Sequence, residues 1–348
     1  MAYTTIDKPS DYFNTKLYTG NGSSGHAITG VGFQPDWIWI KDRGATNWHS
    51  VRDSVRGTSR QLFTNEARAE ETASYVTAFN SDGFTLGTGN SDVNANNNTY
   101  ASWNWKAGTS FTNDASSTGI GSIDSAGSTS DASGFSIVSY TGTGSNATVK
   151  HGLSTDPKMI IFKNRNTATD WDVYHSSLAN TERVHLNTAG AKNTAAHAFN
   201  STSPTTAVFS VGNADNTNKS SSPMIAYCFA EKQGYSKFGS YTGNGNADGA
   251  FVYTGFKPAF VIQKNASTGS TPWFLFDNKR NPFNKTDLKL NPNSSDAESA
   301  ANEIDMLSNG FKVRTSGSYT NASGNLVIYM AFAENPFVAS NFNPATAR

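Results

Sequence analysis

The chain has 348 residues, with 27 basic and 27 acidic side chains, a formal net charge of zero and only 16% charged residues. That balance argues against a nucleic-acid binder, which carries a basic excess or a basic patch. Aromatic residues at 12% likewise argue against a disordered chain.

The N-terminus, Met1 to Lys8, lacks the charged and apolar regions of a secretory signal. A protein assembled inside a cell and released by lysis has this appearance. Residues 1–17 read as an N-terminal segment. The composition is rich in Ser, Thr, Asn and Gly, which favours strands and turns over long helices.

Three segments then open alike: Tyr18-Thr19-Gly20-Asn21-Gly22, Tyr140-Thr141-Gly142-Thr143-Gly144 and Tyr241-Thr242-Gly243-Asn244-Gly245. Each tyrosine is followed at the same spacing by a proline (Pro35, Pro157, Pro258) and then by a lysine (Lys41, Lys163, Lys264). The residues between are apolar: Trp37 to Ile40, Met159 to Phe162, and Phe260 to Ile262 before Gln263. A short continuous apolar run predicts a strand buried on both faces. Gln263 suggests that one end of one face is wetter. A loop of varying length leads to a tryptophan, aligned as Trp48, Trp171 and Trp273.

Later marks recur as well: Thr64-Asn65, Leu186-Asn187 and Leu290-Asn291, then strands near Phe84, Phe209 and Phe311. The closing aromatic strands run Tyr100 to Trp105, Met224 to Phe229 and Val327 to Phe332. The expected fold is all-β, with three tandem β-sandwich repeats at 18–108, 134–234 and 235–335. Thr64 to Ala78 reads as a short helix or turn, the one credible helix in the first repeat. Residues 109–133, rich in Ser, Thr and Gly, read as a linker, with Ile120 to Ile123 as a possible short strand. On that reading repeats two and three form the tighter pair, and 336–348 is a tail packed through Phe337, Phe342 and Pro344. The longest clean apolar run, Leu326 to Ala333, is far short of the ~20 residues of a spanning helix, so no membrane insertion is expected.

The search for chemistry finds no complete site. Cys228 lies in an apolar run and reads as a buried hydrophobe. His26, His49, His151, His175, His185 and His197 lack the spacing of a helical metal motif. His175 and His185, on successive strands, could approach each other, but a closed site needs more ligands than these and the two read as exposed polar residues. Asn90 to Asn96 has oxygen ligands for calcium but no terminal glutamate, and reads as a solvated turn. Asp53 and Asp277 fall at corresponding positions, with a one-residue shift in the first repeat, and His175 stands there in the second. Glu231 and Glu334 correspond at strand ends, where the first repeat has Ala107. A glycosidase needs two carboxyl groups across a cleft; a role lost from one copy argues against catalysis, and these acids read as solvated strand ends. The repeated lysines read as snorkelling side chains, and the repeated tryptophans as core or shoulder packing. No catalytic, metal-binding or cofactor-binding residue is assigned, no cofactor is expected, and ligand-binding residues are unassigned.

The run Gly32-Phe33-Gln34-Pro35-Asp36-Trp37-Ile38-Trp39-Ile40-Lys41-Asp42-Arg43, with Asp53-Ser54-Val55-Arg56-Gly57 and Ser81-Asp82-Gly83-Phe84, resembles a domain family of marine and freshwater bacteriophages. So does Gly134 to Gly144, followed by His151-Gly152-Leu153 and Pro157 to Ile161. The third repeat diverges: Arg43 and Arg165 have Ala266 in their place. The resemblance implies jelly-roll or concanavalin-like sandwiches and a virion location. It implies a tail-fibre or receptor-binding component touching a host glycan or protein. The alternative is a capsid-decorating or tail-structural protein that binds only other virion proteins, and a glycan-cleaving enzyme ranks below both. Other virion proteins and further copies of the chain, as a homo-oligomer, are the expected partners, with no nucleic acid.

Overall fold

A computed structural model describes residues 3–340 and Pro344. It is all-β, built of antiparallel sheets, and the α-helices among the described residues are single turns of four residues. None is long and apolar enough to cross a membrane.

The sheets fall into three units, each with an inner and an outer layer. The first inner sheet runs, edge to edge, through Phe13–Thr19, Thr99–Trp105, Trp37–Asp42, Ser50–Asp53, Arg60–Phe63 and Glu71–Thr72. The second contains the same succession as Phe135–Thr141, Pro223–Ala230, Pro157–Asn164, Asp172–His175, Glu182–His185 and Asn193–Thr194. The third has Ser236–Thr242, Leu326–Pro336, Phe256–Asn265 and Phe274–Asp277. Its next strand, Thr286–Lys289, pairs instead with Ser299–Leu307 in the outer layer. The outer sheets of the first two units are His26–Thr29 with Gly83–Leu86 and Val76–Asn80, and Ala147–Lys150 with Val208–Val211.

The central strands explain why the apolar runs are continuous. Side chains alternate across a sheet, so each run serves two cores. Trp37, Trp39, Met159, Ile161, Phe260 and Ile262 point into one cluster shared by all three units. Ile38 and Ile40, Ile160 and Phe162, and Val261 point outward into three separate clusters beneath the outer sheets. Gln263 is fully buried, which corrects the expectation of a wetter end.

Rings from different units meet in the shared core. Trp37 lies 4.7 Å from Tyr227, Phe13 5.1 Å from Phe332, and Phe229 6.1 Å from Phe332, centroid to centroid. Burying each such side chain is worth about 1.5–3 kcal/mol, and each ring pair adds about 0.5–1.5 kcal/mol.

Several expectations are corrected. Residues 109–133 are not a free linker: Thr109–Asn113 and Ser125–Ser130 extend the second inner sheet beside Phe135–Thr141. Ile123 does pair, as one parallel bridge to Val149. Polar composition suits an edge extension as well as it suits a linker, because outer strands face solvent. Thr64 to Ala78 forms no helix; Glu71–Thr72 and the start of Val76–Asn80 lie there as strands. The first inner strand begins at Phe13, inside the segment set apart as N-terminal. Upstream of it, Ile6 enters the shared core and Thr4 Oγ1 donates to the Gln233 carbonyl at 2.8 Å. Of the tail residues, Phe337 packs edge-on to Tyr3 at 6.4 Å; Phe342 lies outside the described residues.

Candidate functional site

The acids singled out in the sequence sit where units meet. Ser50–Asp53, Asp172–His175 and Phe274–Asp277 are equivalent strands, so Asp53, His175 and Asp277 correspond with no shift. Asp53 accepts from Arg56 Nε at 2.6 Å and from the Tyr227 hydroxyl of the second unit at 2.7 Å. Asp277 accepts from Arg280 Nε at 2.6 Å and from the Trp103 indole of the first unit at 3.0 Å. Trp103 and Tyr227 lie opposite Trp39 and Ile161. The matching residue opposite Ile262 is Met330, which has no proton to donate. His175 faces that seam and bonds the Tyr329 backbone carbonyl at 3.1 Å.

The same arginines reach further. Arg56 Nη1 lies 2.9 Å from Glu70, which also takes Arg165 of the second unit at 2.8 Å. Arg280 Nη1 lies 2.9 Å from Glu298, which takes Arg43 of the first unit at 2.8 Å. Burial pushes the Glu70 carboxyl upward, but Arg165 and Arg56 outweigh it and hold the group below its ordinary range. At the seam between units two and three the corresponding residues are His175, Leu178, Lys192, Ala266 and Met330. Five positions have changed together, so that no charge is left buried without a partner.

Equivalent backbone bonds confirm the correspondence. Glu70 N donates to Arg165 O at 2.8 Å, Lys192 N to Ala266 O at 2.9 Å and Glu298 N to Arg43 O at 2.8 Å. These run from unit one to two, two to three and three to one. The three units therefore close a ring with approximate threefold symmetry. The charged ties lie on both seams of the first unit, opposite to the expectation that units two and three form the tighter pair.

The tryptophan alignment is corrected too. Trp171 and Trp273 are buried, and their indoles donate across seams to Phe63 O and His185 O, each at 2.9 Å. The equivalent residue in unit one is His49, whose backbone N–H bonds Asn65 Oδ1 as that of Trp171 bonds Asn187 Oδ1. His49 is buried and accepts from the Trp39 indole at 2.8 Å. Trp48 is displaced by one residue and reaches the surface. Beside it lies a groove of about 330 Å³ lined by Thr46, Asn47, Trp48, Asn90, Ser91 and Asp92.

The lysines do not snorkel. All three are buried. Lys163 Nζ donates to Ala67 O of the first unit at 3.2 Å and to Thr169 O at 2.7 Å. Lys264 Nζ reaches Ala189 O of the second unit at 3.4 Å and Thr271 O at 2.5 Å. Burial lowers the Lys41 and Lys163 amines to about 8 and Lys264 to about 7.

The Asn90 to Asn96 loop is not a solvated turn. Asn94 is buried, accepts from Asn21 N at 3.0 Å and donates to Ser23 O and Gly87 O. Asn218 and Asn321 do the same for the other two Tyr-Thr-Gly loops. A side chain at Gly20, Gly142 or Gly243 would sit 2.2 Å from a carbonyl oxygen. The loops therefore dock so closely that the third motif residue is glycine each time. Sequence reasoning missed the asparagines because nothing but their position after the loop marks them.

Among the remaining residues, His185 opposes Asp172 rather than His175, so the two histidines do not come together. Glu231 and Glu334 pair with Lys237 and Lys257. Cys228 is buried in the second outer core. No group of three or more potential metal ligands occurs among the described residues.

The chain belongs to a family described as a domain of unknown function, DUF7483, whose model matches residues 8–336 and so takes in all three units. No curated protein matches the chain.

Proposed function

We propose that this chain, a member of that family, is a structural, non-catalytic component of a bacteriophage particle, a tail-fibre or receptor-binding part that touches the host surface. The reading starts from the resemblance carried by Gly32 to Arg43 and Gly134 to Gly144. One structural observation supports it most: the repeated acids, arginines, lysines and asparagines are used to hold the three units and their loops together. That leaves loop surfaces on a stiff scaffold as the working parts. Each pair of inner and outer sheets is read as a jelly-roll or concanavalin-like sandwich.

A second reading, capsid decoration or tail structure with only virion partners, is favoured by the ring itself. A closed three-unit body can sit on a threefold axis of an assembly without a fibrous shaft. Imaging of intact particles carrying a tagged copy separates the two. Tag density on the tail supports host contact; density confined to the capsid shell overturns it in favour of decoration. Binding of the purified chain to host cells, with competition against phage adsorption, is the expected companion result.

A further inference from the structure

We propose that the groove beside Trp48 is a saccharide-binding subsite for a neutral or N-acetylated sugar; this deepens the host-contact reading and rests on it. The symmetry of the ring makes Trp48 stand out. At the equivalent positions Trp171 and Trp273 are locked into seams, and in unit one that position is taken by His49. Trp48 is thus an extra indole that the ring does not require.

Its ring is held in place rather than loose. Phe63 packs edge-on at 5.2 Å, and the Arg68 guanidinium lies 4.5 Å from the indole centroid. Arg68 is not among the residues that line the groove. The walls are tied together: Trp48 N donates to Asp92 Oδ1 at 3.0 Å, Asn47 Nδ2 to Ser91 O at 3.0 Å, and Asp92 N to Asn90 Oδ1 at 2.8 Å. An aromatic face with an apolar body beside it suits the C–H face of a sugar ring. Amide, hydroxyl and carboxylate groups suit its hydroxyls, and preorganised walls lower the ordering cost of binding. The volume of about 330 Å³ is at the small end of the ~300–1,000 Å³ of ligand pockets, enough for one or two sugar rings. No lysine or arginine lines it, which disfavours acidic sugars.

The test is saturation-transfer NMR on the full chain with a panel of neutral and N-acetylated mono- and disaccharides, followed by titration of the best binder. Wild type is expected to bind at least one member. Trp48→Ala and Ser91→Arg, which fills the groove from an exposed position, are expected to weaken binding about tenfold or more, while Trp48→Phe stays within about threefold. Melting curves check that each variant is folded. No binding by wild type across the panel, or binding unchanged in both Trp48→Ala and Ser91→Arg, overturns the proposal. Sugar binding at this groove by a protein found only on the capsid shell would uphold the subsite and sink the receptor role.

Discussion

His175 stands where the other two units carry Asp53 and Asp277, and its surroundings make it a reporter of that seam. Burial lowers its pKa from 6.5 to about 4, so it folds as a neutral imidazole. Below 6.5 the unfolded chain takes up a proton that the folded chain refuses. The stability it supports is therefore complete above about pH 6.5 and is lost as pH falls toward 4. Urea melts at pH 7 and pH 4.5 of wild type and His175→Gln should show this: on acidification the wild type loses roughly 2–3 kcal/mol more than the variant. An unchanged gap between the two proteins would mean that His175 is not buried neutral. The sequence made this position visible as a departure from the repeat. It did not reveal why the departure is tolerated, because Ala266 and Met330, which change with it, lie far from it along the chain.

At the scale of elements, seams rather than strands distinguish the three units. The strands were legible: a buried run such as Met159 to Phe162 has one reading in a chain with this many turn residues, and alternation supplies its two faces. The seams were not, since Asp53 and Tyr227 are joined only by the ring. The helix expected at Thr64 to Ala78 failed for a related reason. Its Glu and Arg residues resemble a solvated helix face, yet Glu70 is held across a seam by Arg56 and Arg165. Of the candidate site, the repeated acids were found but read as solvated strand ends, whereas Asp53 and Asp277 are fully buried in ion pairs; Trp48 was aligned with Trp171 and Trp273 because a one-residue slip is invisible without the hydrogen bonds of His49. The charged seams make a sharp expectation. Arg280→Leu leaves the buried Asp277 without its counter-ion and Glu298 with Arg43 alone, and should cost about 3–5 kcal/mol in denaturant melts. The double variant Asp277→His, Arg280→Leu copies the seam between units two and three. It should be less destabilised than the single variant, since it no longer buries an unpaired Asp277 carboxylate. A double variant as unstable as the sum of its parts would refute the seam argument.

For the whole molecule, the shared core decides how the protein unfolds. Chains beyond about 150 residues usually melt through intermediates or domain by domain. Here the inward faces of all three central strands occupy one cluster, so no unit can leave without exposing the others. Calorimetry should show a single transition, coincident with the loss of near-ultraviolet signal from the buried tryptophans; three resolved steps would contradict a common core. The ring also fixes a stoichiometry. A true homotrimer must repeat any change three times, so it cannot discard the charges at one joint while keeping them at two. Threading three units on one chain removes that obligation. One joint lacks the arginine–carboxylate chain of the other two, and one indole lies outward. The result has the outline of a trimer but a single Trp48 groove, and on any threefold partner it would present one such face per axis rather than three.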